Sequence, residues 1–342
     1  MDKIAIYGAG SLGTILGAYL TKAGVDVDLI TRNRSHVAAM NLNGATVLGT
    51  VSFTQKVKAL TPDQMTEKYD LIFLLTKQLD NINTARFLKD YMTPDGVLCT
   101  LQNGLPEYDL IDILGKDKVC GATVGWGATL CSPGISKLTS DMDSLTFGIG
   151  SLEGFPDDKL NKVIEVLSKM CKVEKEDNFI GVRWTKLLIN SVFSGMGTVM
   201  GGTFGDVTKD KKAKQCAMYT LKECVDVGHA MGIKFATIQG KDAVKLLYFN
   251  NPFKKMISSL IMPIAMKKHK NIEPSMLQDL KKEKLCEIDS INGEICKYGK
   301  KSGVPTPFND MIVNIIHEYE ETKERPNRAK LDRFDELLSK VK

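Results

Sequence analysis

The sequence predicts an α/β domain on a doubly wound, mostly parallel sheet, followed by an all-helical domain. Three observations predict it. Short apolar runs alternate with helical periodicity through the first half, a glycine-rich turn joins the first strand to the first helix, and β patterning largely stops beyond Asn178. A length of 342 residues fits two domains better than one.

Taken in order, Lys3 to Tyr7 reads as a strand, Ser11 to Ala23 as a helix and Val25 to Ile30 as a second strand. Leu71 to Leu75 has the pattern of a buried strand, Asn81 to Tyr91 of a helix and Val97 to Leu101 of a further strand. Between Gly121 and Gly150, Gly, Ser and Thr interrupt β-rich pieces such as Ser144 to Ile149, the expected closing, antiparallel part of the first domain. A helix from Asp157 to Met170 and a short strand at Cys171 to Val173 lead out of it. Helical periodicity then covers Val182 to Val199, Lys211 to Met231, Met276 to Tyr298 and Asn309 to Thr322. Ser275 with Gln278 three residues on has the form of a capping box, with Gly299 near the far end. Pro307 after Thr306 suits a first helical position. The Gly-rich run Ser194 to Gly205 reads as a break between helices, and the charged tail Glu318 to Lys342 as a solvated helix. The boundary falls near residue 175, giving domains 1–175 and 176–342.

Composition narrows the function classes. Hydrophobic residues make up 43% and charged ones 25%, ordinary for a globular chain. A net charge of +5 suits an anionic small molecule and is too weak to imply nucleic acid. The eight cysteines form no CxxC pair, so neither a metal site nor a disulfide framework is expected. No signal peptide is visible, and the apolar stretch Met256 to Met266 contains Pro263 and is too short to span a bilayer. A cytoplasmic protein with no membrane partner is the expectation.

Gly8-Ala9-Gly10-Ser11-Leu12-Gly13 matches GxGxxG between a strand and a helix, the context that makes it a Rossmann-type dinucleotide fingerprint. Gly8 permits the tight turn, Gly10 lets the backbone approach a pyrophosphate, and Gly13 lets helix and strand pack closely. NAD-binding versions place Asp or Glu at the end of the second strand. Here Thr31-Arg32-Asn33-Arg34-Ser35 follows instead, and Asp28 lies inside the strand. Arg32 can pair with a 2′-phosphate, with Arg34 or Ser35 assisting, so NADP(H) is expected.

Hydride chemistry belongs to such a cofactor, and the protein must add a proton donor. The four histidines, His36, His229, His269 and His317, lie in no motif and read as incidental. In Trp184-Thr185-Lys186-Leu187-Leu188-Ile189-Asn190, Lys186 and Asn190 share a helical face bracketed by apolar residues. Desolvation there would lower the lysine pKa and suit it to proton transfer, although a snorkelling surface lysine gives the same pattern.

In order and spacing, these pieces resemble the ketopantoate reductase (2-dehydropantoate 2-reductase) family over nearly the whole chain. The resemblance rests on GAGSLG, Arg32, Gln102-Asn103-Gly104, Trp184 to Asn190, Ser275 to Asp279, Glu287 to Gly293 and Val304-Pro305-Thr306-Pro307. It implies an NADP-dependent oxidoreductase that reduces a small 2-oxo acid, ketopantoate foremost, in pantothenate biosynthesis; a homodimer is compatible with it. By the same resemblance Lys186 is the proton donor and Glu287 the carboxylate that orients it. Asn103, Asn190 and Ser275 match substrate-binding positions, and Lys77 matches a lysine beside the cofactor; for Ser275 a helix N-cap remains the alternative. Asn103 also sits where the nicotinamide would lie.

Two positions depart from the family pattern. Ser194, still able to bind substrate with a shorter reach, and Phe204 stand where asparagines are usual. Losing polar groups that read a substrate hydroxyl can redirect specificity toward another branched or bulkier 2-oxo acid. A related dehydrogenase with another substrate and a non-catalytic NADPH-binding regulator are the competing readings.

Overall fold

The computed structural model describes residues 3–237, 240 and 242–341. By internal contacts the chain forms two compact units, Met1–Gln102 with Pro106–Phe179, and Asn103–Leu105 with Ile180–Lys342.

The strands of the first unit are β1 (Ile4–Tyr7), β2 (Val27–Ile30), β3 (Ala45–Gly49), β4 (Phe53–Gln55), β5 (Lys58–Leu60) and β6 (Tyr69–Leu74). After them come β7 (Met92–Thr100), β8 (Val119–Val124), β9 (Ala128–Ser132), β10 (Ile135–Leu138), β11 (Thr146–Gly150) and β12 (Lys172–Lys175). Its helices are α1 (Ser11–Lys22), α2 (Arg34–Asn43), α3 (Asn81–Lys89), α4 (Pro106–Leu114) and α5 (Asp157–Ser168). Eight strands form one sheet in the order β12-β11-β8-β7-β6-β1-β2-β5, and four form a second, β4-β3-β10-β9. The large sheet is parallel except where β11 runs antiparallel to β8, which is the antiparallel closure expected from the Gly121–Gly150 composition.

The central strands are buried on both faces and mostly apolar for that reason, with Asp28 in β2 the buried exception, paired by Tyr69 and Lys58. Ile4 and Ile6 pack with Leu16, Leu29 and Phe73 on one face. Ala5 and Tyr7 pack with Ile30, Ile72 and Leu74 on the other. β1 sits between β2 and β6, with Tyr7 level with both Ile30 and Leu74. The chain passes to β2 on one side of β1 and to β6 on the other. The topological switch point, where open α/β sheets bind ligands, therefore lies at the carboxyl end of β1.

The second unit is helical: α6 (Phe179–Ile189), α7 (Met196–Met200), α8 (Phe204–Lys209), α9 (Lys211–Ala230), α10 (Ala243–Leu247) and α11 (Pro252–Ala265). The remainder are α12 (Ser275–Leu280), α13 (Ile288–Ser302), α14 (Pro307–Thr322) and α15 (Asp335–Lys340). Among the described residues no helix is long and apolar enough to cross a membrane.

Several sequence expectations are corrected here. The helix expected over Met276–Tyr298 is two helices, because Lys281 to Leu285 are all exposed and offer no apolar face to bury. Glu283 there takes a left-handed conformation at φ 55°, which ends α12. Ser275 is not an N-cap: Pro274 holds that position without a side-chain cap, and Gln278 Nε2 donates instead to the Glu273 carbonyl at 3.2 Å. The glycine that ends α13 is Gly303, left-handed at φ 73°, rather than Gly299.

Val182–Val199 is also not one regular helix. A π-helical turn over Asn190–Gly195, which the periodicity does not foresee, separates α6 from α7, and the break expected within Ser194–Gly205 falls at 201–203, where Gly201 is left-handed at φ 71° between α7 and α8. Asn292, fully buried on α13, donates to the Ser191 carbonyl at 3.1 Å within that turn. A Cβ on Gly195 would lie 2.6 Å from Asn292 Oδ1, so the close approach requires glycine.

The tail is more than a solvated helix. After α14, residues Arg328–Phe334 form a 3-10 segment whose Leu331 and Phe334 are fully buried, and Phe334 stacks on Phe308 with ring centroids 6.1 Å apart. Tyr319 OH donates to the Val199 carbonyl at 2.9 Å, and Arg328 Nε to Asp210 at 2.5 Å. Apolar residues spaced through a lysine-rich sequence are what dock it.

Candidate functional site

In the first unit, the sequence-selected residues collect at the carboxyl edge of the parallel strands. Gly8 follows β1, Arg32 follows β2, Lys77 follows β6, and Gln102 follows β7. The Gly8 and Ala9 amides both donate to the Ile30 carbonyl, at 2.9 and 2.8 Å, which folds the loop tightly over β2. Gly8 has φ 108°, and a Cβ there would lie 2.5 Å from the Thr76 nitrogen. A Cβ on Gly13 would lie 2.6 Å from the Gly8 carbonyl oxygen. These two glycines are required by the loop itself.

Gly10 is different. A Cβ there would meet nothing within 4 Å. Gly10 is also the N-cap of α1, whose start has no side-chain cap and no acidic residue in its first turn. The positive end of the dipole of a twelve-residue helix thus lies beside the open space at Gly10, where the backbone could approach an anion. We expect Gly10→Ala to keep a near-wild-type melting temperature while dinucleotide affinity falls at least about tenfold, measured by titration calorimetry. Unchanged affinity would mean the phosphates do not pass over Gly10.

A buried histidine braces this loop. The Gly134 amide donates to His36 Nδ1 at 2.8 Å, so Nε2 carries the proton and faces Thr14 Oγ1 at 2.9 Å. The Thr14 hydroxyl then donates to the Gly10 carbonyl at 2.6 Å. Burial holds the His36 pKa below its ordinary value, in keeping with a neutral imidazole. Sequence reading passed over His36, because its partners lie far away in the chain.

Within β2, Asp28 is buried, accepting from Tyr69 OH at 2.9 Å and pairing with Lys58 at 3.1 Å. It is committed inside the sheet, as its position within the strand suggests. Arg32 is exposed beside Tyr7, where its guanidinium opposes the rise that burial gives the Tyr7 phenol. Arg34 pairs with Asp63 at 3.3 Å on the surface, and Ser35 Oγ donates to Asn33 at 2.8 Å. Lys77 is exposed in the loop after β6. That loop is held by Gln102, whose Nε2 donates to the Thr76 carbonyl and to Asn81 Oδ1, both at 2.8 Å. Thr100 Oγ1 donates to Gln102 Oε1 at 2.9 Å. Gln102 belongs to the Gln-Asn-Gly motif, and its role is to fix two strand-end loops together. Asn103, half-buried, comes next and is followed by Gly104 at φ 73°.

In the second unit, α6 carries Lys186. Trp184 and Thr185 anchor the helix: Trp184 packs against Tyr298 at 5.7 Å between ring centroids, and Thr185 Oγ1 donates to the Gly181 carbonyl at 2.8 Å. Lys186 itself is half-buried. Burial and the buried Arg183 one turn earlier lower its pKa to about 7, with the Glu287 carboxylate pulling the other way. Glu287 is half-buried at the N-cap of α13. A lysine in this state is an acid matched to neutral pH.

Asn190 opens the π turn and is half-buried, whereas Ser194 is buried inside it. The extra residue of the turn shifts the helical phase, so Ser194 does not simply continue the Lys186–Asn190 row. Phe204 is buried against Phe193, with centroids 5.6 Å apart. Ser275 is exposed at the first residue of α12. Among the described residues no group of His, Cys, Asp and Glu could hold a metal ion.

Comparison with known proteins converges on one family. Residues 4–151 match the family model "Ketopantoate reductase PanE/ApbA", and residues 178–320 match "Ketopantoate reductase PanE/ApbA C terminal". The chain is 29% identical to a 2-dehydropantoate 2-reductase of Pyrococcus horikoshii, covering 92% of this chain and 96% of that one. It is 27% identical to the enzyme of that name from Streptococcus pyogenes, covering 93% and 97%. Among solved structures, D-mandelate dehydrogenase in ternary complex with NADH and anilino(oxo)acetate superposes with a TM-score of 0.80 at 25% identity, covering 94% of this chain and 99% of that one. A ketopantoate reductase of Ralstonia eutropha shares the fold, at a TM-score of 0.79, 23% identity and the same coverage. With both of its family models matched in sequence order and curated relatives matched over nine-tenths of its length, this chain belongs to the ketopantoate reductase PanE/ApbA family of pyridine-nucleotide oxidoreductases.

Proposed function

We propose that the protein reduces a 2-oxo acid with NADPH, with 2-dehydropantoate as the substrate and pantoate as the product. The observation that carries this reading is Lys186, a half-buried amine whose pKa falls to about 7 with a carboxylate, Glu287, opposing the fall. The reduced nicotinamide, when bound, supplies the hydride that reaches the substrate C2 carbon. Lys186 gives its proton to the carbonyl oxygen, and Glu287 orients the lysine. Asn103, Asn190, Ser194 and Ser275 bind the substrate. Gly8, Ala9, Gly10, Ser11, Leu12 and Gly13 hold the pyrophosphate, while Arg32 and Lys77 supply positive charge to the cofactor. A cytoplasmic place in pantothenate biosynthesis and a homodimeric assembly belong to the same proposal.

Arg32 supports NADPH over NADH, because it is exposed where β2 ends, whereas Asp28, the carboxylate of that strand, is buried and accepts from Tyr69 OH. We expect wild type to favour NADPH in kcat/KM, and Arg32→Ala to lose at least about tenfold with NADPH but little with NADH. Equal kcat/KM values for the two cofactors in wild type contradict this assignment.

One observation favours a second reading. Ser194 and Phe204 stand where the family resemblance leads one to expect asparagines, and a structural relative at 25% identity is solved with NADH and anilino(oxo)acetate. A bulkier 2-oxo acid is therefore the alternative substrate. A panel running from 2-dehydropantoate to phenylglyoxylate separates the two by kcat/KM.

A further inference from the structure

The start of α13, where Glu287 is the N-cap, is gripped from α14. Glu320 is buried, and its Oε1 accepts the backbone amide of Cys286 at 2.7 Å, one residue before Glu287. Its other oxygen, Oε2, lies 2.9 Å from His317 Nδ1. The far side of that ring reaches Asp289, with Nε2 at 2.9 Å from Oδ1. Cys286 and Asp289 flank Glu287 and Ile288, so both sides of the carboxylate's backbone are tied to α14 through one Glu–His unit. Glu287 has φ −93° and ψ 32°, outside the helical run that starts at Ile288. The exposed segment Lys281 to Leu285 just before it offers no packing of its own. The clamp thus ties the backbone on both sides of Glu287, next to the buried Cys286 and Ile288. Its residues are far apart in sequence, and none is used by the chemistry proposed above.

We infer that Glu320, braced by His317, is a positioning residue that holds Glu287 against Lys186. This inference rests on the reading of Lys186 as proton donor. A buried, charge-assisted hydrogen bond to a backbone amide sets where the next residue's Cα lies, and small misplacement of an orienting group is costly. Glu287 supports the charged form of Lys186, so a loosened turn gives less support and the lysine loses its proton at lower pH.

The test uses the full chain with Glu320→Ala and Glu320→Gln. Glutamine keeps an oxygen for the Cys286 amide and a group for His317, so it is expected to stay near wild type. Alanine is expected to lower kcat roughly tenfold to a hundredfold, with a smaller change in KM. The pKa of Lys186, read directly from the pH dependence of amine acylation at that residue by mass spectrometry, is expected to fall in the alanine variant and be restored in the glutamine variant. Melting curves identify any variant that fails to fold; for Glu320→Ala, His317→Gln then provides the same acylation measurement, with a smaller fall expected. An acylation pKa unchanged from wild type in a folded alanine variant would overturn the clamp. A lowered acylation pKa with unchanged turnover would uphold the clamp and overturn Lys186 as the proton donor.

Discussion

Lys186→Ala is expected to lower kcat by at least about a thousandfold while the fold and NADPH binding persist. Placing this lysine where it lies is costly. Burial, reinforced by Arg183, penalises its charged form, and Glu287 recovers only part of the penalty. A folded-state pKa of about 7 lies below the ordinary 10.5, so the unfolded chain binds more protons between those values. Wild-type stability therefore rises as pH climbs from about 7 toward 10.5, and at neutral pH the lysine is a burden on the fold. Removing it should leave the melting temperature near or above that of wild type. The cofactor loop lies on other elements and should be untouched. Activity has the opposite pH sense: the donor is present below about 7, so kcat/KM for reduction should fall as pH rises through that value. Near-wild-type turnover by Lys186→Ala would show that the proton comes from another group.

The largest stability loss is expected at Glu223. This buried carboxylate on α9 accepts from the Phe308 amide at 2.8 Å, the Asn309 amide at 2.9 Å and Asn309 Nδ2 at 2.7 Å. It thereby satisfies the free amides at the start of α14, where Pro307 fills the first position and Thr306 supplies no side-chain cap. Asn309 Oδ1 in turn accepts from Asn292, which also holds the π turn after Lys186. Glu223→Ala strands three buried donors and should cost on the order of 3 kcal/mol, seen as a fall in melting temperature of roughly 6–12 °C. Glu223→Gln keeps an acceptor and should cost less. Burial pushes the Glu223 pKa up to about 7, against an ordinary 4.5. The folded state then binds more protons than the unfolded between those values, and this group's contribution to stability declines as pH rises from about 4.5 to 7. The Gln variant should lack that component of the slope. An alanine variant that melts like wild type would show that water or a neighbouring group caps α14.

Much of the first unit was legible in the sequence, since parallel central strands buried on both faces have to be apolar and the glycine turn sits directly between two of them. Tyr7, Ile30 and Leu74 end their strands level with one another, so residues a few positions later in the chain arrive at one edge. The partial burial of Lys186 was legible because several of its neighbours on α6 are apolar. The parts that were not legible depend on partners remote in the chain. His36 braces Gly10 through Thr14 and Gly134, and Gln102 ties two loops through Asn81 and Thr76. Helical periodicity also misread Met276–Tyr298, because a pattern of apolar spacing does not register five exposed residues that have nothing to pack against. The π turn escaped for a related reason: it depends on Asn292, about one hundred residues away, and on a glycine that admits it.

The most direct test of the reductase assignment is a steady-state assay of the full chain with 2-dehydropantoate, following the loss of NADPH absorbance and the pantoate formed. Stoichiometric NADPH oxidation and pantoate formation, with NADH much the poorer donor and Lys186→Ala inactive, is the predicted result. Tight NADPH binding without turnover of 2-dehydropantoate or any other 2-oxo acid would contradict it and leave a nucleotide-binding protein without this chemistry.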